Sequence, residues 1–190
     1  MHFLDLPVEM LQYIAQFLPV NSIVNLGQTC KHLLDVTNID SIWQKLCCRD
    51  YKVNMIDGWD LTHKEVYTKV LKKCGFLGWK RIALVPYGGL VYVSWGKGEI
   101  QVLRYYPADS PEGSLQCNQI YSLQWNSDQH EVEVFCQQCE DGVRPALLAQ
   151  DGPLYPVIQC AAEDCPKAHS RLVSFLLFNI FYMCFVKDPL

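Results

Sequence analysis

The apolar residues of this chain keep a helical period up to about Gly75 and a period close to two after it. A stretch patterned for one period cannot bury its apolar side chains in the other geometry, so the switch dictates helices first and strands second. Met10, Leu11, Ile14, Phe17 and Leu18 follow the spacing of one helical face, and Pro19 stops that helix. Asn21 or Ser22 is placed to cap a second helix whose apolar side is Ile23, Val24 and Leu26. A third segment after Gly27 carries Leu33, Leu34 and Val36. A fourth over 38–50 turns Ile42, Trp43 and Leu46 inward, and a last one over 61–73 carries Val66, Tyr67, Val70 and Leu71. Helices this short persist only when packed on one another.

From Leu77 onward the runs Arg81 to Val85, Leu90 to Trp95 and Ile100 to Tyr105 alternate as strands, with Gly88-Gly89 and Gly96-Lys97-Gly98 as turns between them. Tyr121 to Trp125 and Glu131 to Phe135 form a further pair around Asn126-Ser127-Asp128. The expected fold class is α+β: a helical module over 1–50, a linker helix over 51–76, and an antiparallel β-rich domain over 77–190. Leu172 to Val186 is fifteen nearly unbroken apolar residues with Asn179 at its middle. A membrane-spanning helix needs about twenty, so this stretch reads as a buried element or an apolar tail of the second domain, and a membrane partner is not expected.

Half of the residues are hydrophobic and 12% aromatic, ample for packed cores and unlike a disordered chain. Residues 1–80 hold nine Lys/Arg against eight Asp/Glu, and residues 81–190 hold seven against twelve. Neither part can neutralise a phosphate backbone, which argues against a nucleic-acid partner. The opening MHFLDLPVEM has neither a basic n-region nor a cleavable apolar run, so the cytosol or nucleus is expected. Ten cysteines in a reducing compartment are thiols; clustered ones are metal-ligand candidates, and others, such as Cys47 and Cys48, serve as small buried hydrophobes.

One ordered series runs through the first forty-three residues. Leu6-Pro7-Val8-Glu9-Met10-Leu11 is followed by Ile14 and Phe17-Leu18, then by Ser22-Ile23-Val24 and Leu26. Thr29-Cys30-Lys31, Leu33 and Val36 come next, and Ile42-Trp43 closes the series. Each piece is common alone; in this order they resemble the F-box family. The resemblance implies a helical module that binds the adaptor Skp1 and, through it, a cullin-RING scaffold. The chain would then be a non-catalytic substrate receptor that promotes ubiquitination of a protein substrate. The residues it implies at the Skp1 interface are Leu6, Pro7, Met10, Leu11, Ile14, Leu18, Ile23, Leu26, Leu33, Val36 and Trp43, with Trp43 as a buried anchor of the kind aromatic residues supply.

Cys136-Gln-Gln-Cys139, Cys160-x₄-Cys165 and His169 place five metal-capable residues in one window. A Cys-x₂-Cys knuckle offers two thiolates to a tetrahedral ion, and a second Cys/Cys or Cys/His pair about twenty residues on can complete it. Buried thiols beside an exposed His169, or a redox Cys-x-x-Cys, are the other readings of the same residues. Past the helical module, Val66 to Leu71, Leu77-Gly78-Trp79, Pro86 to Val93 and Tyr105-Tyr106-Pro107 are similar to one member of the F-box family. That resemblance implies a β-rich domain that holds substrate, of cyclin type or with a terminal degron. It also implies a structural zinc held by four of Cys136, Cys139, Cys160, Cys165 and His169, with Cys136 and Cys160 the best matches. The β-rich domain is shorter here than in that relative and is expected to be incomplete.

No glycine-rich phosphate loop and no nucleophile elbow is present, so the residues make no case for an enzyme. Two further readings stand beside the substrate receptor. One is an F-box decoy that binds the adaptor without a working substrate domain; the other is a zinc-stabilised structural or interaction protein.

Overall fold

A computed structural model describes residues 3–82, 89–108, 113–139, 142–150 and 156–161. A 3₁₀ turn, Phe3–Asp5, precedes α1 (Val8–Ala15), α2 (Val20–Gly27), α3 (Lys31–Thr37) and α4 (Asp40–Tyr51). The last helical stretch starts as α5 (His63–Glu65), runs through a π-helical segment Val66–Leu71, and ends as α6 (Lys72–Cys74). Among the described residues seven strands follow: β1 (Gly78–Ile82), β2 (Gly89–Trp95), β3 (Glu99–Tyr106), β4 (Gln116–Asn126), β5 (Glu131–Cys136), β6 (Arg144–Gln150) and β7 (Pro156–Cys160). They hydrogen-bond in chain order as one sheet, an α+β architecture.

Helix starts differ from expectation in one instructive place. The second helix is not capped by Asn21 or Ser22: it begins at Val20, and Pro19 occupies the N-cap with an extended ψ of 148°. Pro7 does the same for α1, with ψ 146°. Proline has no N–H to leave unpaired there, and its fixed φ aims the chain into the first turn. The last helix has a complete capping box, because the Thr62 hydroxyl accepts from the Glu65 N–H at 3.3 Å while Glu65 accepts from the Thr62 N–H at 3.1 Å.

The described residues form two compact units. The first joins the helices, up to Leu77, with Trp95–Glu99 and Trp125–Val132. Its core is Leu11, Ile23, Leu33, Val36, Ile42, Trp43, Leu46, Trp59, Val66, Tyr67, Val70 and Leu71. Trp59 and Trp95 stack at 4.3 Å, the Trp59 indole donates to the Gly96 carbonyl at 3.1 Å, and Trp95 donates to the Met55 carbonyl at 2.8 Å. Gly58 and Gly98 have φ of 78° and 75°, and a Cβ on Gly98 would sit 2.7 Å from the Gly58 oxygen. Only glycine permits that backbone path and that approach.

The second unit is the remainder of the sheet. Val91 and Val93, Ile100 and Val102, and Val134 and Cys136 are buried at alternate positions, the period of two read from the residues. The first strand begins at Gly78, earlier than the Arg81 start expected, while 83–88 lie outside the described residues. Strands β6 and β7 carry no clear alternation in sequence and were not expected individually. Of the two cysteines expected as small buried hydrophobes, Cys47 is buried; Cys48 is a correction, because its place on α4 faces solvent. The apolar stretch 172–186 lies outside the described residues.

Candidate partner face and cysteine cluster

The first helix carries more apolar surface than one core can take. At about 100° per residue, Leu11 and Ala15 point to one side of α1 and Met10 and Tyr13 point well away from them, and exposed Phe17 and half-buried Leu18 follow in the turn past its end. Leu11 and Ala15 are fully buried, whereas Met10, Tyr13 and Phe17 are 49%, 57% and 68% exposed. The single face expected from Met10, Leu11, Ile14, Phe17 and Leu18 is therefore two stripes, with half-buried Ile14 between them. Tyr13 and Phe17 meet edge to face at 5.1 Å. Phe3 and Leu4 on the 3₁₀ turn, Val8 on α1, Val24 on α2 and Leu34 on α3 are exposed as well.

The residues expected at a partner interface separate by burial. Leu11, Ile23, Leu33, Val36 and Trp43 are buried within the helical unit. Leu6, Ile14, Leu18 and Leu26 are half-buried, and Pro7 and Met10 are exposed. Trp43 donates its indole N–H to the Thr37 carbonyl at 2.8 Å and meets Tyr67 edge to face at 5.6 Å. The Tyr67 hydroxyl in turn donates to Asp50 at 2.7 Å. Asp50 is held below the usual carboxylate range by its hydrogen bond from Arg49, helped by that from Tyr67. Arg49 also reaches back to the carbonyls of Gln16 and Leu18, at 2.8 and 3.1 Å, supplying donors where α1 has run out of its own. Tyr13 is not among the residues expected at the interface; its signal in the sequence is an aromatic pair four residues apart, on the side away from the buried stripe.

In the sheet unit, Cys136 ends β5, Cys139 lies in the loop after it, and Cys160 ends β7. Cys136 pairs with Arg144 on β6, and Cys160 pairs with Ala146 on β6's other edge. Arg144 and Ala146 are two residues apart, so both cysteines project from the same face of the sheet. The three sulfurs lie within 4.8 Å of one another, with Cys139 Sγ and Cys160 Sγ 3.5 Å apart. Ligands about 2.3 Å from a tetrahedral zinc sit about 3.8 Å from each other, so the spacing suits three thiolates on one ion. Burial pushes the Cys136 thiol up from its ordinary range. Of the five candidates for four metal ligands, the structure brings Cys136, Cys139 and Cys160 together; Cys165 and His169 lie outside the described residues.

Among the described residues no helix is long and apolar enough to cross a membrane. The F-box-like family model matches residues 3–49, the stretch that carries the exposed stripe. F-box only protein 24 of Homo sapiens is 40% identical over 43 residues, 23% of this chain and 7% of the relative. F-box only protein 31 is 30% identical over 95 residues in both Rattus norvegicus and Homo sapiens, covering 47% of this chain and 19% and 18% of those relatives. The chain thus spans less than a fifth of the curated relatives it matches. Residues 3–49 thus match the F-box-like family model, and the chain is similar to F-box only proteins 24 and 31.

Proposed function

We propose that this chain is the substrate-receptor subunit of a Skp1–cullin–F-box ubiquitin ligase. The observation that carries the reading is the second apolar stripe: Met10 and Tyr13 on α1 and Phe17 in the turn after it stay exposed although the helical unit already has a closed core. A partner that covered them, with Phe3, Leu4, Val24 and Leu34, would gain about 25 cal/mol for each Å² of apolar surface removed, before the costs of association. Within the implied Skp1 contacts, the exposed and half-buried members Leu6, Pro7, Met10, Ile14, Leu18 and Leu26 meet the partner directly. The buried members Leu11, Ile23, Leu33, Val36 and Trp43 act by holding the helices in place. The β-rich part, residues 77–190, receives the protein substrate. Catalysis is then proximity alone: the subunit raises the effective concentration of substrate beside a charged conjugating enzyme.

The cysteine cluster fits a structural zinc within this reading. Cys136, Cys139 and Cys160 would supply three thiolates, and Cys165 or His169 the fourth ligand. Such an ion would tie the end of β7 to the loop after β5 and contribute directly to folding.

Co-expression with Skp1 followed by affinity capture tests the adaptor role. The intact chain is expected to hold Skp1 stoichiometrically, and a Met10→Asp/Phe17→Asp variant to lose it while keeping its helical circular dichroism. Both side chains are exposed, so the variant separates binding from folding. Capture of Skp1 undiminished in a folded variant would overturn the assignment of this face.

A further inference from the structure

The cysteine cluster contains an asymmetry that metal binding does not use. Cys136 is 2% exposed at the end of β5, and the residue just past it is still tied to β4, because the Gln137 N–H donates to the Ile120 carbonyl at 2.9 Å. Cys139, three residues past the end of β5, is half-buried in a connecting loop, with its sulfur 3.5 Å from that of Cys160. An oxidant from solvent therefore meets Cys139 first, and the segment bearing Cys139 can close the remaining gap, of roughly 1.5 Å, to a disulfide bond.

We infer that Cys139 and Cys160 are a peroxide-sensitive pair that closes to a disulfide when no ion holds the cluster. The Cys139 thiolate attacks one oxygen of hydrogen peroxide; an S–O bond forms, the O–O bond breaks, and hydroxide leaves. Sulfur is oxidised to sulfenic acid and peroxide is reduced. The Cys160 thiolate then attacks the Cys139 sulfur; the S–S bond forms, the S–O bond breaks, and a second hydroxide leaves, the two hydroxides taking up the protons that the two thiols lost on ionising. In sum, two thiols and one peroxide give one disulfide and two waters. Closure removes two of the three clustered sulfurs as metal ligands, so the disulfide and a bound ion exclude each other. The pairing rests on the approach of the two sulfurs and stands whether or not zinc proves to be the resident ion.

The test uses the full chain, stripped with a chelator and exposed to stoichiometric hydrogen peroxide. Remaining thiols are then blocked with N-ethylmaleimide, and unreduced peptides are mapped by mass spectrometry. A Cys139–Cys160 cross-linked peptide is expected, with the loss of both thiols and their full return on reduction. Cys139→Ser is expected to leave Cys160 unoxidised at the same dose. Exposed Cys48 and Cys117 report that the dose was effective. Recovery of Cys139 joined to Cys136, as an unpaired sulfinic acid, or untouched while Cys48 and Cys117 react, would overturn the inference. Metal analysis of the chain before stripping decides the zinc reading separately: a chain without zinc that still forms the cross-link sinks that reading and leaves this one in place.

Discussion

Trp43 sits at the centre of the helical unit with 1% of its surface exposed. Its indole N–H is satisfied by the Thr37 carbonyl, and Tyr67 packs on its ring while also donating to Asp50. Truncating such a side chain removes a large buried area and leaves a cavity, at a cost of about 3–5 kcal/mol. Trp43→Ala is therefore expected to lower stability by about that amount in a denaturant titration, and to weaken Skp1 capture only as far as it unfolds the helices. A loss of capture with unchanged stability would instead make Trp43 a direct contact. Cys47, on the next turn of α4, is fully buried, and burial followed by the charges of Asp40 and Asp50 pushes its thiol up to about 12. That makes it a packing residue without thiolate chemistry at neutral pH.

At the scale of the element, the capping box at Thr62 and Glu65 starts the last helical stretch, and Glu65 also pairs with Lys69 at 2.8 Å. The hydrogen bond from Lys69, with those from Thr62, pulls the Glu65 carboxyl down to about 2. A depressed folded-state pKa gives a contribution that is present above the unfolded carboxylate range, near 4.3, and lost as pH falls towards 2. Glutamine keeps the cap but not the charge, so Glu65→Gln is expected to melt somewhat below the wild type at pH 7, with the gap closing between about pH 4 and 2. A gap constant over that interval would show that the charge contributes nothing. The helices and the switch to strands near Gly75 were legible because periodicity is a local property of side-chain spacing. The two stripes of α1 were not, since which apolar residues turn inward depends on where α3 and α4 lie. Pro19 as a cap was missed because hydroxyl and amide residues followed it directly, and propensity favours them as caps.

For the molecule as a whole, the cysteine window was readable as a spacing, but its geometry comes from strands β5, β6 and β7 in register. If zinc occupies it, removal with a chelator is expected to lower the thermal midpoint, and metal analysis to find about one ion per chain. An unchanged midpoint with no metal recovered would leave the three sulfurs as thiols rather than metal ligands. The placement of Trp95–Glu99 and Trp125–Val132 with the helices has a different consequence, for transplantation. A helical fragment cut after Leu77 would lose the ring that stacks on Trp59 and the Gly96 carbonyl that receives its N–H. What looks from the sequence like a detachable cassette is finished by residues encoded later. A graft of this domain onto another protein would have to bring the β2–β3 hairpin tip with it, or be redesigned at Trp59.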